Sequence, residues 1–140
     1  GDALGSARCD CGAQLDKAFT EIETHGHGYI LYLRDHEGRG IGLSAKIEAY
    51  ILQDAGFDTV DANLKLGHDI DQREWQDAAD ILNLLGISEL TLLTNNPEKV
   101  AKLKGFGFDV SRAPLQAEPN PNNEFYLRTK QARLHHELGI

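Results

Sequence analysis

The segment LTLLTNNPEK, residues 90–99, decides the fold class because it joins a short apolar run to the start of a helix. LTLLT is rich in leucine and threonine and predicts a strand. Asn96 suits the cap of the following helix, and Pro97 suits its first position, where no amide partner is needed. A strand that leads directly into a helix is typical of an α/β sheet.

The rest of the chain alternates helix-like and strand-like segments in the same way. Helices are predicted over residues 12–25, 42–56, 71–85, from 97 onward and over 123–138, and extended segments over 28–34, 58–63, 90–94 and 106–115. The alternation favours an α/β fold with helices packed on a mixed, largely parallel sheet. Ligands in such sheets bind at the carboxyl ends of strands, which directs attention to the residues after 34, 63 and 94.

Helical spacing of apolar residues predicts which faces are buried. The expected stripes are Leu15, Ala18, Phe19 and Ile22 on the first helix, Leu43, Ile47, Tyr50 and Ile51 on the second, and Ala78, Ile81, Leu82 and Leu85 on the third.

Composition limits the class of protein. The 140 residues are 41% hydrophobic and contain no apolar run near the ~20 residues that a membrane span needs, which predicts a single domain over 1–140 without a membrane partner. The formal net charge of -8 argues against nucleic acid as a partner. Two cysteines without a signal peptide predict a cytoplasmic protein. The chain has no methionine, so we expect it to begin inside a longer protein and to lack its N-terminal part.

Cys9 and Cys11 lie one residue apart in RCDC. Such a pair presents two sulfurs from one turn, which suits a zinc ion better than a disulfide. Two thiolates are too few for zinc, which takes three or four protein ligands. From the pair alone, two free thiols in a reduced protein are an equally good interpretation.

Two further segments offer groups for a phosphate ligand. In DHEGRGIGL, residues 35–43, the glycines allow close approach of the backbone and Arg39 offers a charged fork, although structural turns often share this pattern. Thr94 and Lys99 flank the helix start at Pro97, where an anion is favoured. The alternative is that Asn96 and Pro97 serve only to start the helix and that Lys99 is a solvated lysine.

Asp71 and Arg73 lie two residues apart in GHDIDQREW. In extended backbone they would face the same way, so that the carboxylate orients the guanidinium. The alternative is that Asp71 caps the helix predicted from residue 71 and that Arg73 lies on the surface.

Taken together, these motifs resemble the GTP cyclohydrolase II family. The resemblance rests on GDALGSARCDCGAQL, YLRDHEGRGIGLSAKIEAYILQDAGFDTVDAN, LTLLTNNPEK and NPNNEFYLRTK, which follow one another in the family's order over essentially the whole chain. It implies a hydrolase that opens the guanine imidazole ring of GTP, releasing formate and pyrophosphate and leaving a diamino-ribosylamino-pyrimidinone phosphate, as the first step of riboflavin biosynthesis. It also implies a homodimer.

The resemblance implies two metal ions. One catalytic zinc per chain is held by three cysteines, of which Cys9 and Cys11 match two, and the third is expected two residues before Gly1. Mg²⁺ accompanies the triphosphate. Zinc suits this chemistry because it makes water a nucleophile near neutral pH.

The family's site residues are carried over position by position. Tyr50 matches a tyrosine that assists at the ring, Asp71 a proton acceptor and Arg73 a nucleophile. A guanidinium has no free lone pair at neutral pH, so a phosphate clamp is chemically the easier role for Arg73. The residues implied to line GTP are Gln14, Glu37, Gly38, Arg39, Thr59, Thr94 and Lys99. Glu37 could accept hydrogen bonds from the amino and ring N–H edge of guanine, which predicts selectivity for GTP over ATP.

Two other function classes stay open at this stage. One is an inactive nucleotide-binding homologue, or the second half of a bifunctional DHBP synthase/GTP cyclohydrolase II protein. The other is a redox or metal-storage role for the cysteine pair.

Overall fold

A computed structural model describes residues 4–69 and 71–138 of the chain. The chain divides into two compact units. One is formed by Tyr32–Glu74, and the other combines residues 4–31 with residues 75–138. The second unit is therefore discontinuous in sequence.

The discontinuous unit contains a parallel strand pair joined by a helix. Strand β1 is Glu89–Leu93, helix α5 is Pro97–Gly105 and strand β2 is Asp109–Ala113. The strands pair in parallel, with Glu89 opposite Asp109 and Leu93 opposite Ala113. A parallel pair requires a crossover connection, which α5 provides. The prediction from residues 90–115 is confirmed, and the fold is α/β in character with one parallel pair among the described residues.

The start of α5 follows the expected capping chemistry. Asn96 is in extended conformation and its Oδ1 accepts a hydrogen bond from the amide of Glu98 at 3.0 Å, while Pro97 occupies the first helical position. The side chain thus satisfies an amide that has no partner inside the helix.

The core of this unit lies between the strand pair and two helices. Its buried members are Ala79 and Leu82 of helix α4 (Gln76–Leu84), Leu103, Phe108 and Val110, and Leu31, Ile87, Leu90, Leu92 and Val100 pack against them. Alternate residues of a strand face opposite sides, which explains why Val110 points into the core between exposed neighbours. Helices α1 (Cys11–His25) and α6 (Glu124–Leu134) complete the unit.

The unit Tyr32–Glu74 is helical. A 3₁₀ segment over Arg34–Gly40 leads into helix α2, Gly42–Asp54, and helix α3 spans Thr59–Lys65. Helix α2 contacts both the 3₁₀ segment and α3. The segment Arg34–Gly40, called the glycine-rich loop below, thus packs against α2.

Two predicted strands are wrong. Residues 28–33 form no strand. Among the described residues the one backbone ladder joins β1 to β2 and does not include this segment. Residues 58–63 are largely helical, since Asp58 caps α3 by accepting hydrogen bonds from the amides of Val60 and Asp61 at 2.8 and 2.9 Å. The cap outweighs the extended preference of Thr59 and Val60.

The predicted helix over 71–85 begins later than expected, at Gln76. Asp71 does not cap it, because its carboxylate accepts from the amide and side chain of Arg73 instead. The last helix ends at Leu134 rather than at residue 138. The next residue, His135, adopts a left-handed backbone with φ of 52° and ends the helix.

The predicted buried stripes are correct only in part. No residue of α1 is fully buried, and Phe19 is exposed. On α2 Leu43, Ile47 and Ile51 are exposed, whereas Lys46 and Ala49 are buried. On the third predicted helix Ala78 and Leu82 are buried as expected, while Ile81 and Leu85 are exposed. Periodicity identifies an apolar stripe, but the neighbours of the helix decide which face is covered.

Helices long and apolar enough to cross a bilayer do not occur in residues 4–69 and 71–138.

Candidate active site

The glycine-rich loop of the unit Tyr32–Glu74 has an unusual backbone. Arg39 lies in the left-handed region, with φ of 65° and ψ of 36°, directly after Gly38 with φ of 61°. A residue with a Cβ rarely adopts this conformation, and where it does the surroundings hold it there. The carbonyl of Arg39 accepts a hydrogen bond from the amide of Gln72 at 2.9 Å, which ties the loop to the segment that carries Asp71 and Arg73.

Gly40 lies against the backbone of the same segment. A Cβ added at this position would be 3.0 Å from the carbonyl carbon of Gln72 and 3.2 Å from the amide nitrogen of Arg73. Its φ is 94°, a conformation that side chains seldom adopt. Glycine is therefore required both for the turn and for the close approach.

We expect Gly40→Ala to destabilise the protein by roughly 2–5 kcal/mol, because backbone strain and overpacking against Gln72 add together. Gly56→Ala is the matched control, since φ there is 99° but no atom lies within 4 Å of the added Cβ. The control should be destabilised only by backbone strain, which costs about 1–2 kcal/mol. Urea denaturation of both variants measures the difference, and equal losses would contradict the crowding at Gly40.

Asp71 and Arg73 form a two-pronged ion pair. Arg73 Nε donates to Asp71 Oδ1 at 2.8 Å, Nη2 donates to Oδ2, and the Arg73 amide also donates to Oδ1 at 3.1 Å. The side chain of Arg73 is 11% exposed and that of Asp71 is 23% exposed. Of the two interpretations of this pair, the structure shows the one in which the carboxylate orients the guanidinium.

The charges around Asp71 keep it ionised. Burial alone raises the pKa of the carboxyl, but the hydrogen bonds and charge of Arg73, with a contribution from Arg39, hold it below its ordinary value. Arg39, Asp71 and Arg73 thus form one charged cluster at the glycine-rich loop.

Glu37 is held by a lysine that the sequence analysis did not single out. Lys46, buried on α2, donates from Nζ to Glu37 Oε1, which also accepts from the amide of Gly38 at 3.3 Å. Burial raises the pKa of Glu37, but the hydrogen bond and charge of Lys46 act against it, and the pKa lies below its ordinary value. The ammonium is 5.8 Å from the centre of the Tyr50 ring. The i,i+4 spacing of Lys46 and Tyr50 indicates that these two side chains are neighbours, but it does not link Lys46 to Glu37.

The two cysteines lie at the start of α1, in the discontinuous unit. Cys9 is buried and Cys11 half-buried, and the two are not joined by a disulfide. The Cys9 thiol is 3.8 Å from the carbonyl oxygen of Ser6, to which it donates. A hydrogen bond between the two sulfur groups, followed by burial, raises the pKa of Cys11 well above its ordinary value, whereas the charge of Lys130 acts to lower it. The sulfurs are therefore neighbours, and metal binding there would release protons.

These thiols fit two positions of a zinc site. Adjacent sulfurs from one turn match the ligand type and spacing that zinc prefers. Within residues 4–69 and 71–138 no group of three or more His, Cys, Asp and Glu side chains converges on a common point. Cys9 and Cys11 would thus hold zinc together with at least one ligand from outside this group.

Asp10, between the cysteines, is the centre of a buried polar network. Its Oδ1 accepts from Lys130 Nζ at 2.7 Å, and its Oδ2 accepts from the side-chain amide of Gln14. The side chains of Asp10 and Lys130 are 3% and 9% exposed. Sequence reasoning selected Gln14 but missed Asp10 and Lys130, because the pair is separated by 120 residues and leaves no local pattern.

The remaining predicted residues lie at helix starts. Thr94 is buried at the end of β1, and its hydroxyl accepts from the amide of Asn96 at 3.1 Å, which gives it a structural role as well. Lys99 lies in the first turn of α5, with Nζ 5.8 Å from the centre of the Trp75 ring. Thr59 is the first residue of α3. Their contact with a nucleotide stays a prediction.

Comparison with known proteins gives a consistent result. The family model described as GTP cyclohydrolase II matches residues 1–114. A protein named riboflavin biosynthesis protein RibBA from Porphyromonas gingivalis is 55% identical over 139 residues, which are 99% of this chain and 34% of that relative. Proteins of the same name from Salinispora tropica and Mycobacterium bovis are each 52% identical over 140 residues, covering 99% of this chain and 35% and 33% of theirs. The chain spans about a third of the length of these relatives.

Proposed function

The chain belongs to the GTP cyclohydrolase II family, and on this premise we propose that it carries out the hydrolytic opening of the guanine imidazole ring of GTP. The products are formate, pyrophosphate and a diamino-ribosylamino-pyrimidinone phosphate, and the reaction is the first step of riboflavin biosynthesis. The observation that supports this most directly is the cluster of Arg39, Asp71 and Arg73 at the glycine-rich loop, which offers charge and close backbone approach to a phosphate.

Ring opening is assigned to the cysteine pair and Tyr50. The reaction adds water twice at the carbon between the two imidazole nitrogens. The first water breaks one bond to nitrogen and leaves a formamide, and the second breaks the other bond and releases that carbon as formate. Cys9 and Cys11 would hold zinc, whose contribution when bound is Lewis acidity that makes water a nucleophile near neutral pH. The Tyr50 hydroxyl is inaccessible to solvent, and its role is to donate a hydrogen bond to the ring.

Pyrophosphate release is assigned to Asp71 and Arg73. Water attacks the α-phosphorus and forms the new bond, while the bond from that phosphorus to the oxygen that bridges to the β-phosphate breaks and negative charge develops on that oxygen. A guanidinium carries its positive charge at neutral pH and has no lone pair for attack. The Asp71 carboxylate holds that of Arg73 by hydrogen bonds. This geometry supports a phosphate clamp for Arg73, with Asp71 orienting it. Mg²⁺ would arrive with the triphosphate. Thr94 and Lys99, at the start of α5, are proposed to contact the triphosphate itself.

Recognition of guanine is assigned to Glu37. An ionised carboxylate is an acceptor only, and guanine presents two N–H donors on one edge where adenine does not. Lys46 supports this role by keeping Glu37 ionised and by fixing its position. Gln14, Gly38 and Thr59 are proposed to complete the nucleotide contacts.

We expect Glu37→Gln to lower kcat/KM for GTP by roughly 10²-fold, since hydrogen bonds to a charged acceptor are worth about 1.5–3 kcal/mol each. The preference for GTP over ITP, which lacks the amino group, should shrink in parallel. Steady-state kinetics with both nucleotides measure this, and Glu48→Gln at an exposed position of α2 is the control. An unchanged ratio between GTP and ITP in Glu37→Gln would contradict the assignment.

The proposed function is tested by incubating the full-length protein with GTP and measuring formate, pyrophosphate and bound zinc. Release of both products with about one zinc per chain supports the enzyme. Binding of GTP without products would favour an inactive nucleotide-binding homologue, and metal or redox chemistry without GTP binding would favour a role for the cysteine pair alone. The alternative of a bifunctional riboflavin protein accords with relatives of which this chain covers about a third. The homodimer stays a prediction from the family resemblance, and the cytoplasmic location stays a prediction from the two cysteines and the missing signal peptide.

A further inference from the structure

The buried ion pair between Asp10 and Lys130 occupies a place where charge is costly. Both side chains are almost fully removed from solvent, and their nitrogen and oxygen atoms are 2.7 Å apart. A buried ion pair is weak evidence for stability, because removing two charges from water offsets much of their attraction. Its retention between two candidate metal ligands therefore calls for another role.

The pair connects the cysteine turn to a distant helix. Asp10 is the single residue between Cys9 and Cys11, and Lys130 comes from α6, near the other end of the chain. The Lys130 ammonium is also 4.4 Å from the centre of the Tyr126 ring on the same helix, which adds a second favourable contact. The cation is thus held from two sides and cannot follow Asp10 if the turn moves.

The other oxygen of Asp10 fixes Gln14. Since an ionised carboxylate only accepts, the NH₂ group of Gln14 must face Asp10, and the carbonyl oxygen Oε1 is turned away from it. The backbone N–H of Gln14 also donates to the backbone carbonyl of Asp10 at 2.9 Å, within the first turn of α1. Asp10 therefore holds Gln14 at two points, through its backbone carbonyl and through its carboxylate, and Gln14 is a side chain proposed to contact the nucleotide.

We propose that Asp10 and Lys130 are positioning residues of the cysteine site: their ion pair fixes the turn that presents Cys9 and Cys11. This role rests on the proposed function for its link to GTP, but not for its effect on metal binding. Partners that orient metal ligands typically contribute 10–100-fold to metal affinity.

The test is zinc affinity of the full-length protein, measured by competition with a chromophoric chelator. Lys130→Met should weaken zinc binding by roughly 10–100-fold, and Lys130→Arg, which keeps the charge and the donors, should restore most of it. Asp10→Asn should weaken zinc binding by a similar factor. If Lys130→Met does not fold, the zinc affinity of Asp10→Asn tests the proposal instead.

Two controls on α6 separate positioning from general stability. Leu127→Ala removes a buried side chain and lowers the melting temperature without touching the pair, and Arg128→Met breaks an exposed pair with Glu124. Both should keep wild-type zinc affinity. Equal loss of zinc affinity in Leu127→Ala and Lys130→Met, or unchanged affinity in Lys130→Met, would overturn the proposal. Formate release by the wild type is a separate readout, so failure of the proposed function is distinguishable from failure of this inference.

Discussion

Replacing Arg73 with lysine is expected to lower pyrophosphate release from GTP by roughly 10²–10³-fold, the loss seen when one preorganised donor to developing charge is removed. Lysine keeps the positive charge but has neither the planar fork nor the two nitrogens that bind Asp71 side by side. The ammonium would pair with one carboxylate oxygen and lie in a different position. Single-turnover measurement of pyrophosphate is the direct assay.

The same experiment separates the two roles of Arg73. With GTP labelled at the α-phosphate, a clamp predicts that the wild-type protein, denatured at alkaline pH so that a P–N bond would survive, stays unlabelled, whereas a nucleophilic arginine predicts label on the protein. Arg128→Lys is the control, because that arginine forms an exposed pair with Glu124 on α6. Full pyrophosphate release by Arg73→Lys would exclude both the clamp and the nucleophile.

The strand–helix–strand segment was predictable from the sequence because every local signal agreed. A leucine- and threonine-rich run, an asparagine cap and a proline at the first helical position all lie within LTLLTNNPEK, and the structure follows each of them. Local agreement of this kind is what makes a segment predictable without its neighbours.

The segment at Asp58 was predicted wrongly because two local preferences conflict there. Thr59 and Val60 favour extended backbone, but the Asp58 side chain satisfies two amides of a helix start, and the helix forms. Residues 28–33 show a different limit. Their apolar composition suits a strand, yet a strand exists only where another backbone pairs with it, and that is a property of the fold.

In the candidate site, too, local pairs could be predicted from the sequence and distant pairs could not. The pairing of Asp71 with Arg73 was foreseen as one of two alternatives, since residues two apart in extended chain share a face. Lys46 and Lys130 were not foreseen, because a buried lysine is rare and its partner, nine residues away for Glu37 and 120 for Asp10, cannot be inferred from spacing. Motifs indicated which groups carry chemistry, and the structure showed which buried charges hold them.

Replacing Cys11 with serine is expected to lower formate release by on the order of 10³-fold, because loss of a Lewis acid removes several kcal/mol of transition-state stabilisation and each 1.36 kcal/mol is tenfold in rate. A serine hydroxyl is a poor zinc ligand, so bound zinc should fall in proportion. Pyrophosphate release should be retained to a much larger extent, since Asp71 and Arg73 keep their ion pair without any contribution from the cysteines.

Cys9→Ser should reproduce the loss of formate release, and Thr20→Ala, which alters an exposed hydroxyl on the same helix α1, should not. Zinc content is measured by elemental analysis beside both product assays. A parallel fall of formate and pyrophosphate in Cys11→Ser would contradict the assignment of the two reactions to separate groups of residues. Wild-type formate release with zinc retained would show that Cys11 is not a ligand.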